Sequence, residues 1–290
     1  MNILIIGASG FLGKAIKEVL VENSHVNLYE VKRCLGMTCT HDYLTTNLIC
    51  VTESGELREP IDLNFACVYI LSTVYKRNSE DLGIVAECNI SYLIKIVSEL
   101  NHRFKTIIYT NSYLALDTQS RKFTSFYAHT KETFGKYLEQ YIDPRKNVLH
   151  NVYLFDVFGK GDSRKKILDF VNENTKLGVF SNLSEGKQLI SPILVNQAAQ
   201  ILADFKIMEF ETGVYRWQLN GSEWKTLQEV VSIFEEIKKT KFLINWGVNP
   251  YLGDEVFQPV QIHPNLQFDI EIKSITDVLT EIYSEKQNHE

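Results

Sequence analysis

The chain predicts an α/β fold, a doubly wound parallel sheet with a smaller α+β substrate lobe, and three observations carry that expectation. The first is the apolar run Ile3 to Ile6, which breaks into GASGFLG at 7–13 and then into a helical pattern at Ile16, Val19 and Leu20. The second is the alternation of strand-like and helix-like stretches through the first two thirds, which calls for parallel strands with helices on both faces. The third is a change of texture after Gly159-Lys160-Gly161-Asp162, where short helical stretches and Trp-bearing segments replace the regular alternation. The expected division is therefore a dinucleotide-binding domain over 1–160 and a smaller lobe over 161–290, with some crossing of the chain between them.

The elements follow in order. Val26 to Val31, Ala66 to Leu71, Thr106 to Tyr109 and Asn151 to Phe155 read as further strands. Helical patterns fill Gly83 to Leu100 and Tyr127 to Tyr141, the latter stopping before Pro144. Arg164 to Leu177 and Asn196 to Glu209 are the next helices. Tyr215 to Leu219 leads to a helix over Thr226 to Lys239, and a last helix starts at Ile275. Trp217, Trp224 and Trp246 are expected in the core of the smaller lobe, and Asp162 and Ser163 as caps of its first helix.

Composition excludes several classes. With 290 residues, 44% hydrophobic and 23% charged, the chain has the make-up of a soluble globular protein able to bury a sizeable core. No stretch reaches the roughly 18 apolar residues of a membrane span, and the opening MNILIIGASG lacks a charged leader, so a cytoplasmic protein is expected. A formal net charge of −6 argues against a nucleic-acid partner. The five cysteines, Cys34, Cys39, Cys50, Cys67 and Cys88, read as reduced thiols without a disulfide framework. His25, His41, His102, His129, His150, His263 and His289 are scattered without ligand spacing, so no metal is expected.

The glycine turn carries the first chemistry. Gly7 permits the sharp turn, Gly10 lets the backbone approach a pyrophosphate, and Gly13 lets helix and strand pack closely. With Phe11 and Leu12 they open a helix whose N-terminus favours a diphosphate. Leu71 and Ser72, closing the third predicted strand, are expected to touch the same cofactor through backbone atoms. Asn47 is a candidate to approach its adenine.

YAHTK sets Tyr127 and Lys131 four residues apart on one helix face. A free phenol titrates near pH 10, too high for efficient proton exchange near neutrality. An adjacent ammonium favours the phenolate and brings Tyr127 into a usable range. Lys131 can also donate to nicotinamide ribose hydroxyls, and a hydroxyl at the end of the preceding strand can polarise a carbonyl. The implied chemistry is hydride transfer at a carbon bearing oxygen.

These motifs resemble those of the extended short-chain dehydrogenase/reductase family, in its nucleotide-sugar branch, with a Rossmann-like cofactor domain. The resemblance runs nearly end to end. It includes GASGFLG, Asn89 in CNISYL, YAHTK, LFDVFGKGD (154–162), SEGKQLISPILVNQAA (184–199) and NPYLGDEVFQPV (249–260). Within that branch YTNSYLAL is similar to the strand ends of 4-keto-6-deoxy-sugar reductases such as those making CDP-abequose or CDP-paratose. That register makes Thr110 the third catalytic residue; a second register uses Asn111, with Ser112 supplying the hydroxyl. Related 4,6-dehydratases need an Asp-Glu pair just after the Thr, whereas this chain has Asn111 and Ser112, neither a carboxylic acid. Dehydration is therefore disfavoured.

The resemblance implies reduction of the 4-keto group of a nucleotide-diphosphate sugar, with Asn111 and Ser112 near the substrate and a homodimer as the assembly. The alternatives are a 4-epimerase that keeps NAD bound and a non-catalytic dinucleotide-binding protein. Ile190 and Leu252 stand where the family often places arginines, and Arg164, Lys165 and Lys166 are candidates to replace that charge. At the end of the second strand, LYEVKR offers Glu30 to adenosine ribose hydroxyls or Lys32 and Arg33 to a 2′-phosphate, so NADP(H) is favoured over NAD(H).

Overall fold

The computed structural model describes residues 1–34, 47–75, 82–115, 125–162, 164, 166–251, 255–266 and 269–284. The opening apolar run forms β1 (Asn2–Ile6), and GASGFLG turns the chain into α1 (Phe11–Val21). β2 (Asn27–Arg33), β3 (Asn47–Val51) and β4 (Phe65–Ile70) follow. The long predicted helix is present but interrupted: α2 (Leu82–Ala86) passes through a π-helical turn (Glu87–Ser91) into α3 (Tyr92–Glu99). Next come β5 (Phe104–Ser112), α4 (Phe126–Tyr141) and β6 (Val148–Leu154). Beyond them lie β7 (Val157–Phe158), α5 (Ile167–Lys176), β8 (Ser181–Asn182), β9 (Leu189–Ile190), β10 (Ile193–Leu194) and α6 (Val195–Ala203). β11 (Gly213–Leu219), β12 (Lys225–Thr226), α7 (Leu227–Lys238), β13 (Ile244–Asn245) and α8 (Ile275–Tyr283) complete the described chain.

Two units emerge. The first takes Met1–Leu154, Ala198–Leu219 and Ile262–Phe268; the second takes Phe155–Gln197, Asn220–Gln261 and Asp269–Glu290. The first is built on a seven-stranded sheet in the order β11-β6-β5-β4-β1-β2-β3, every pair parallel. Parallel strands buried on both faces must be apolar at successive positions, and β1 is, with Ile3, Leu4, Ile5 and Ile6 all at or below 1% exposure. One face, with Leu4, Ile6, Val68, Ile107 and Tyr109, packs against α3 and α4 through Leu93, Ile96, Phe134 and Leu138. On the other face the Tyr69 hydroxyl donates to the Leu202 carbonyl on α6 at 3.0 Å.

β3 had no counterpart among the predicted strands, and the Trp-bearing segment lies elsewhere than expected. Trp217 sits on β11, in the first unit, where its indole N–H donates to His150 Nδ1 at 2.9 Å. The cysteines depart from the simple thiol pattern too: Cys34 and Cys50, at the ends of neighbouring strands, bring their sulfurs together, while Cys67 and Cys88 are free. Cys39 lies outside the described residues.

The second unit gathers Leu168, Val171, Leu227, Val230, Phe234, Ile275 and Val278 into its own core. Thr226 begins α7 with a reciprocal capping box, accepting from Glu229 N while Glu229 accepts from Thr226 N. The first helix of this unit starts later than predicted. α5 is preceded by Lys166 with no side-chain cap, because Asp162 instead pairs with Arg164. Ser163 lies outside the described residues.

Candidate active site

The glycine turn is held against the end of β4. Ile6 O accepts from both Leu71 N and Ser72 N, at 2.9 and 3.0 Å. Gly7 has φ +99°, and a Cβ there would come within 2.5 Å of Ser72 N, so the position admits only glycine. A Cβ on Gly13 would lie 2.2 Å from Gly7 O, which is why the helix can sit this close to the turn. Gly10 precedes α1, whose first turn carries neither a side-chain cap nor an acidic residue. Phe11 and Leu12 open that helix. A turn without a Cβ at Gly7 and Gly10, leading into an uncapped helix N-terminus, suits a dinucleotide diphosphate, so the residues present fit such a cofactor.

At the end of β2 the charged residues separate. Glu30 is taken by Lys17 of α1 in an ion pair of 2.9 Å. Arg33 stacks over the Tyr92 ring at 4.0 Å and donates to Cys88 Sγ at 3.6 Å. Asn47 does not fit its expected place. It opens β3 opposite Tyr29, at the other end of the strands from Arg33, and its amide donates to Leu28 O at 3.3 Å.

Tyr127 and Lys131 lie in the first turns of α4, begun by Ser125, whose hydroxyl accepts from Ala128 N. Lys131 is 2% exposed, and its ammonium lies 4.5 Å from the centroid of the Tyr109 ring. Burial pushes the Lys131 ammonium down to about 7. The Tyr109 hydroxyl donates to Lys131 O at 2.9 Å, and burial raises that phenol well above the usual range.

The three residues that end β5 have distinct surroundings. The Thr110 hydroxyl donates to Ile70 O at 3.3 Å and the residue is buried. The Asn111 amide donates to Glu132 Oε2 and Asn151 Oδ1, each at 3.2 Å, while its oxygen accepts from Ser112 N at 2.8 Å. Gly135 makes room for this network, since a Cβ there would lie 3.0 Å from Asn151 Nδ2 and 3.1 Å from Asn111 Nδ2. Ser112, the last residue of the strand, accepts from Leu114 N at 3.3 Å through its hydroxyl oxygen.

One hub was only half visible in the sequence. Asn89, fully buried in the π-helical turn, accepts from Val74 N at 2.8 Å and donates to Val74 O at 3.0 Å and Thr130 Oγ1 at 3.1 Å. The Thr130 hydroxyl in turn donates to Tyr127 O at 2.7 Å. The motif around Asn89 was visible, but its partner Thr130 lies 41 positions away and carries no local signal.

The remaining predicted residues lie in the second unit. Arg164 grips Asp162 with two hydrogen bonds, of 2.8 and 2.7 Å. Lys166 donates to Val157 O at 2.6 Å and sits 3.9 Å from the Phe158 ring centroid, and burial lowers its ammonium to about 8. Ile190 on β9 pairs with Lys225 and packs against the unit's core. Lys165 and Leu252 lie outside the described residues. Among the described residues no three His, Cys, Asp or Glu side chains are placed to hold a metal, and no helix is long and apolar enough to cross a membrane.

The model of the NAD dependent epimerase/dehydratase family matches residues 3–201, the stretch that holds the glycine turn, β5 and the Tyr127/Lys131 helix. The chain belongs to this family. The NAD dependent epimerase/dehydratase assignment is accompanied by 23% identity to the CDP-abequose synthase of Yersinia pseudotuberculosis over 280 residues, 92% of this chain and 94% of that protein. The solved UDP-glucuronic acid 4-epimerase of Bacillus cereus, in complex with UDP-glucuronic acid and NAD, superposes with a TM-score of 0.76 at 16% identity, covering 98% of each chain. The UDP-N-acetylglucosamine 4-epimerase of Methanobrevibacter ruminantium M1 gives 0.73 at 15%, covering 97% of this chain and 96% of that one. At such identities the structural likeness establishes the shared Rossmann-like fold.

Proposed function

We propose that this member of the NAD dependent epimerase/dehydratase family reduces the 4-keto group of a nucleotide-linked 4-keto-6-deoxyhexose, using NADP(H). The observation that carries the reading is the placing of Tyr127 and a buried Lys131 four residues apart on α4, beside a β5 end that holds hydroxyls and an amide and no carboxylic acid. The likeness to CDP-abequose synthase supports the substrate class.

The glycine turn, Leu71 and Ser72 hold the diphosphate side of the cofactor, which supplies the hydride when bound. Tyr127 donates the phenolic proton to the oxygen of the reduced carbonyl. Lys131 holds its charge close to that phenol, favouring the phenolate left behind, and anchors the nicotinamide ribose. The carbonyl-polarising hydroxyl is assigned to Ser112 rather than Thr110. Thr110 already donates its proton to Ile70 O, and the Asn111 amide is committed to Glu132 and Asn151. The ion pair that occupies Glu30, with Lys32 and Arg33 beyond it, supports a 2′-phosphate at the adenosine ribose. In the second unit, Lys166 at the N-terminus of α5 is assigned to the sugar-nucleotide diphosphate together with Arg164, in place of arginines at 190 and 252.

A second reading, a nucleotide-sugar 4-epimerase, is supported by the two solved structures above, both 4-epimerases, one in complex with a UDP-sugar and NAD and the other with a UDP-sugar. The deciding experiment follows the nicotinamide absorbance of NADPH and NADH with CDP- and dTDP-4-keto-6-deoxyglucose offered separately. Consumption with one pair establishes the reductase. Stoichiometric NAD in the purified protein, with no net consumption, establishes the epimerase.

A further inference from the structure

Tyr75 stands directly beside Tyr127. Their ring centroids are 4.7 Å apart at an interplanar angle of 83°, an edge-to-face contact within the range where aromatic rings attract. Both rings are placed by the same buried amide. Asn89 binds the N–H and the C=O of Val74, the residue before Tyr75, at 2.8 and 3.0 Å. Through Thr130 it also reaches the carbonyl of Tyr127, in steps of 3.1 and 2.7 Å. Tyr75 keeps 41% of its surface exposed, so it is not filling the core.

We propose that Tyr75 is a positioning residue that holds the Tyr127 phenol in a single rotamer. The proposal rests on the reading of Tyr127 as the proton donor. A tyrosine near the start of a helix has more than one staggered χ1 setting open to it, and a perpendicular ring against its side blocks the swing between them. Without that neighbour the phenol can turn away from the Lys131 side of α4. A proton donor displaced by about 1 Å loses up to about 100-fold in rate, so a ring that removes the wrong setting acts on turnover and not on cofactor affinity. It stands five residues past the end of β4, on the segment that begins with Leu71 and Ser72, the residues assigned to the cofactor.

The test uses the full chain labelled with 3-fluorotyrosine. The fluorine resonance that disappears in Tyr127→Phe belongs to Tyr127, and its pH titration is followed in wild type, Tyr75→Leu and Tyr75→Phe. With the oxidised dinucleotide bound, so that Lys131 keeps its proton, Tyr75→Leu should move the Tyr127 titration upward by about one pH unit as the phenol drifts from the ammonium. Tyr75→Phe keeps the ring and should leave the titration in place. In turnover assays Tyr75→Leu should lower kcat roughly tenfold with KM for cofactor and sugar within about twofold, and Tyr75→Phe should restore kcat. An unmoved Tyr127 titration in Tyr75→Leu overturns the role whatever the kinetics. A rise in KM with kcat intact also overturns it, making Tyr75 a wall for substrate instead. If the titration moves but the wild type turns over no sugar nucleotide, the functional reading fails and the positioning role stands.

Discussion

The Lys131 ammonium lies over the Tyr109 ring, 4.5 Å from its centroid, while the hydroxyl of the same tyrosine donates to the Lys131 backbone carbonyl at 2.9 Å. One β5 side chain thus holds both ends of the lysine. The ring offers the charge a weak attraction, and among the described residues no anion compensates its burial, so the ammonium falls to about 7.

This makes cofactor binding a proton-uptake reaction. Burial leaves Lys131 of the cofactor-free protein largely uncharged above pH 7, and in the proposed arrangement the nicotinamide ribose oxygens set against it favour the proton's return. Calorimetry at pH 8 in two buffers of different ionisation enthalpy should show uptake approaching one proton per dinucleotide bound. Lys131→Met should remove it; uptake unchanged in that variant would place the titrating group elsewhere.

Tyr127→Phe removes the hydroxyl proposed as proton donor and should leave the fold and the glycine turn intact. Turnover should fall by about 10²- to 10⁴-fold, with dinucleotide affinity by fluorescence titration nearly unchanged. Full activity in this variant would remove Tyr127 from the chemistry.

Ser112→Ala and Thr110→Val separate the two strand-end hydroxyls. Ser112→Ala should cost about 100-fold in kcat with little change in thermal midpoint. Thr110→Val should keep most of the activity and lose about 1 kcal/mol of stability, from the Ile70 carbonyl left without its donor. The opposite pattern would return the catalytic role to Thr110.

His150 sets an acid limit on the first unit. It is fully buried between Ile207 O at 2.8 Å and the Trp217 indole at 2.9 Å, and burial lowers it to about 4. The unfolded chain takes up this proton near pH 6.5, while the folded chain holds it off until about pH 4. Stability is therefore fully present above 6.5 and declines as pH falls from 6.5 to about 4, by about 3 kcal/mol in total. Urea unfolding at pH 7 and pH 5 should show about 2 kcal/mol of this loss. His150→Phe should be less stable at pH 7 but with a shallower pH dependence; an equal slope would acquit His150.

Much of this was legible because the signals were local. The apolar run before GASGFLG, the spacing of Tyr127 and Lys131, and the stop before Pro144 each act within one element. What was not legible depends on strand parity and on partners far along the chain. Asn111 and Thr110 are neighbours in sequence, yet alternation sends one to Glu132 and Asn151 and leaves the other under Ile70 O. β3 was missed because Asn47 to Val51 is short and its apolar pattern ordinary. Cys34 and Cys50 meet only because β2 and β3 run side by side. Asp162 was read as a helix cap from its place in sequence, and the competing attraction of Arg164 two residues on drew it away.

The sheet of the first unit is finished by β11, residues Gly213–Leu219, which are synthesised only after the second unit's first segment, Phe155–Gln197. A nascent chain that has reached residue 160 presents β6 with its backbone donors and acceptors along one side unsatisfied, a template for pairing with any passing strand. An amino-terminal fragment expressed alone should therefore self-associate, and its rescue should require a strand rather than a dinucleotide.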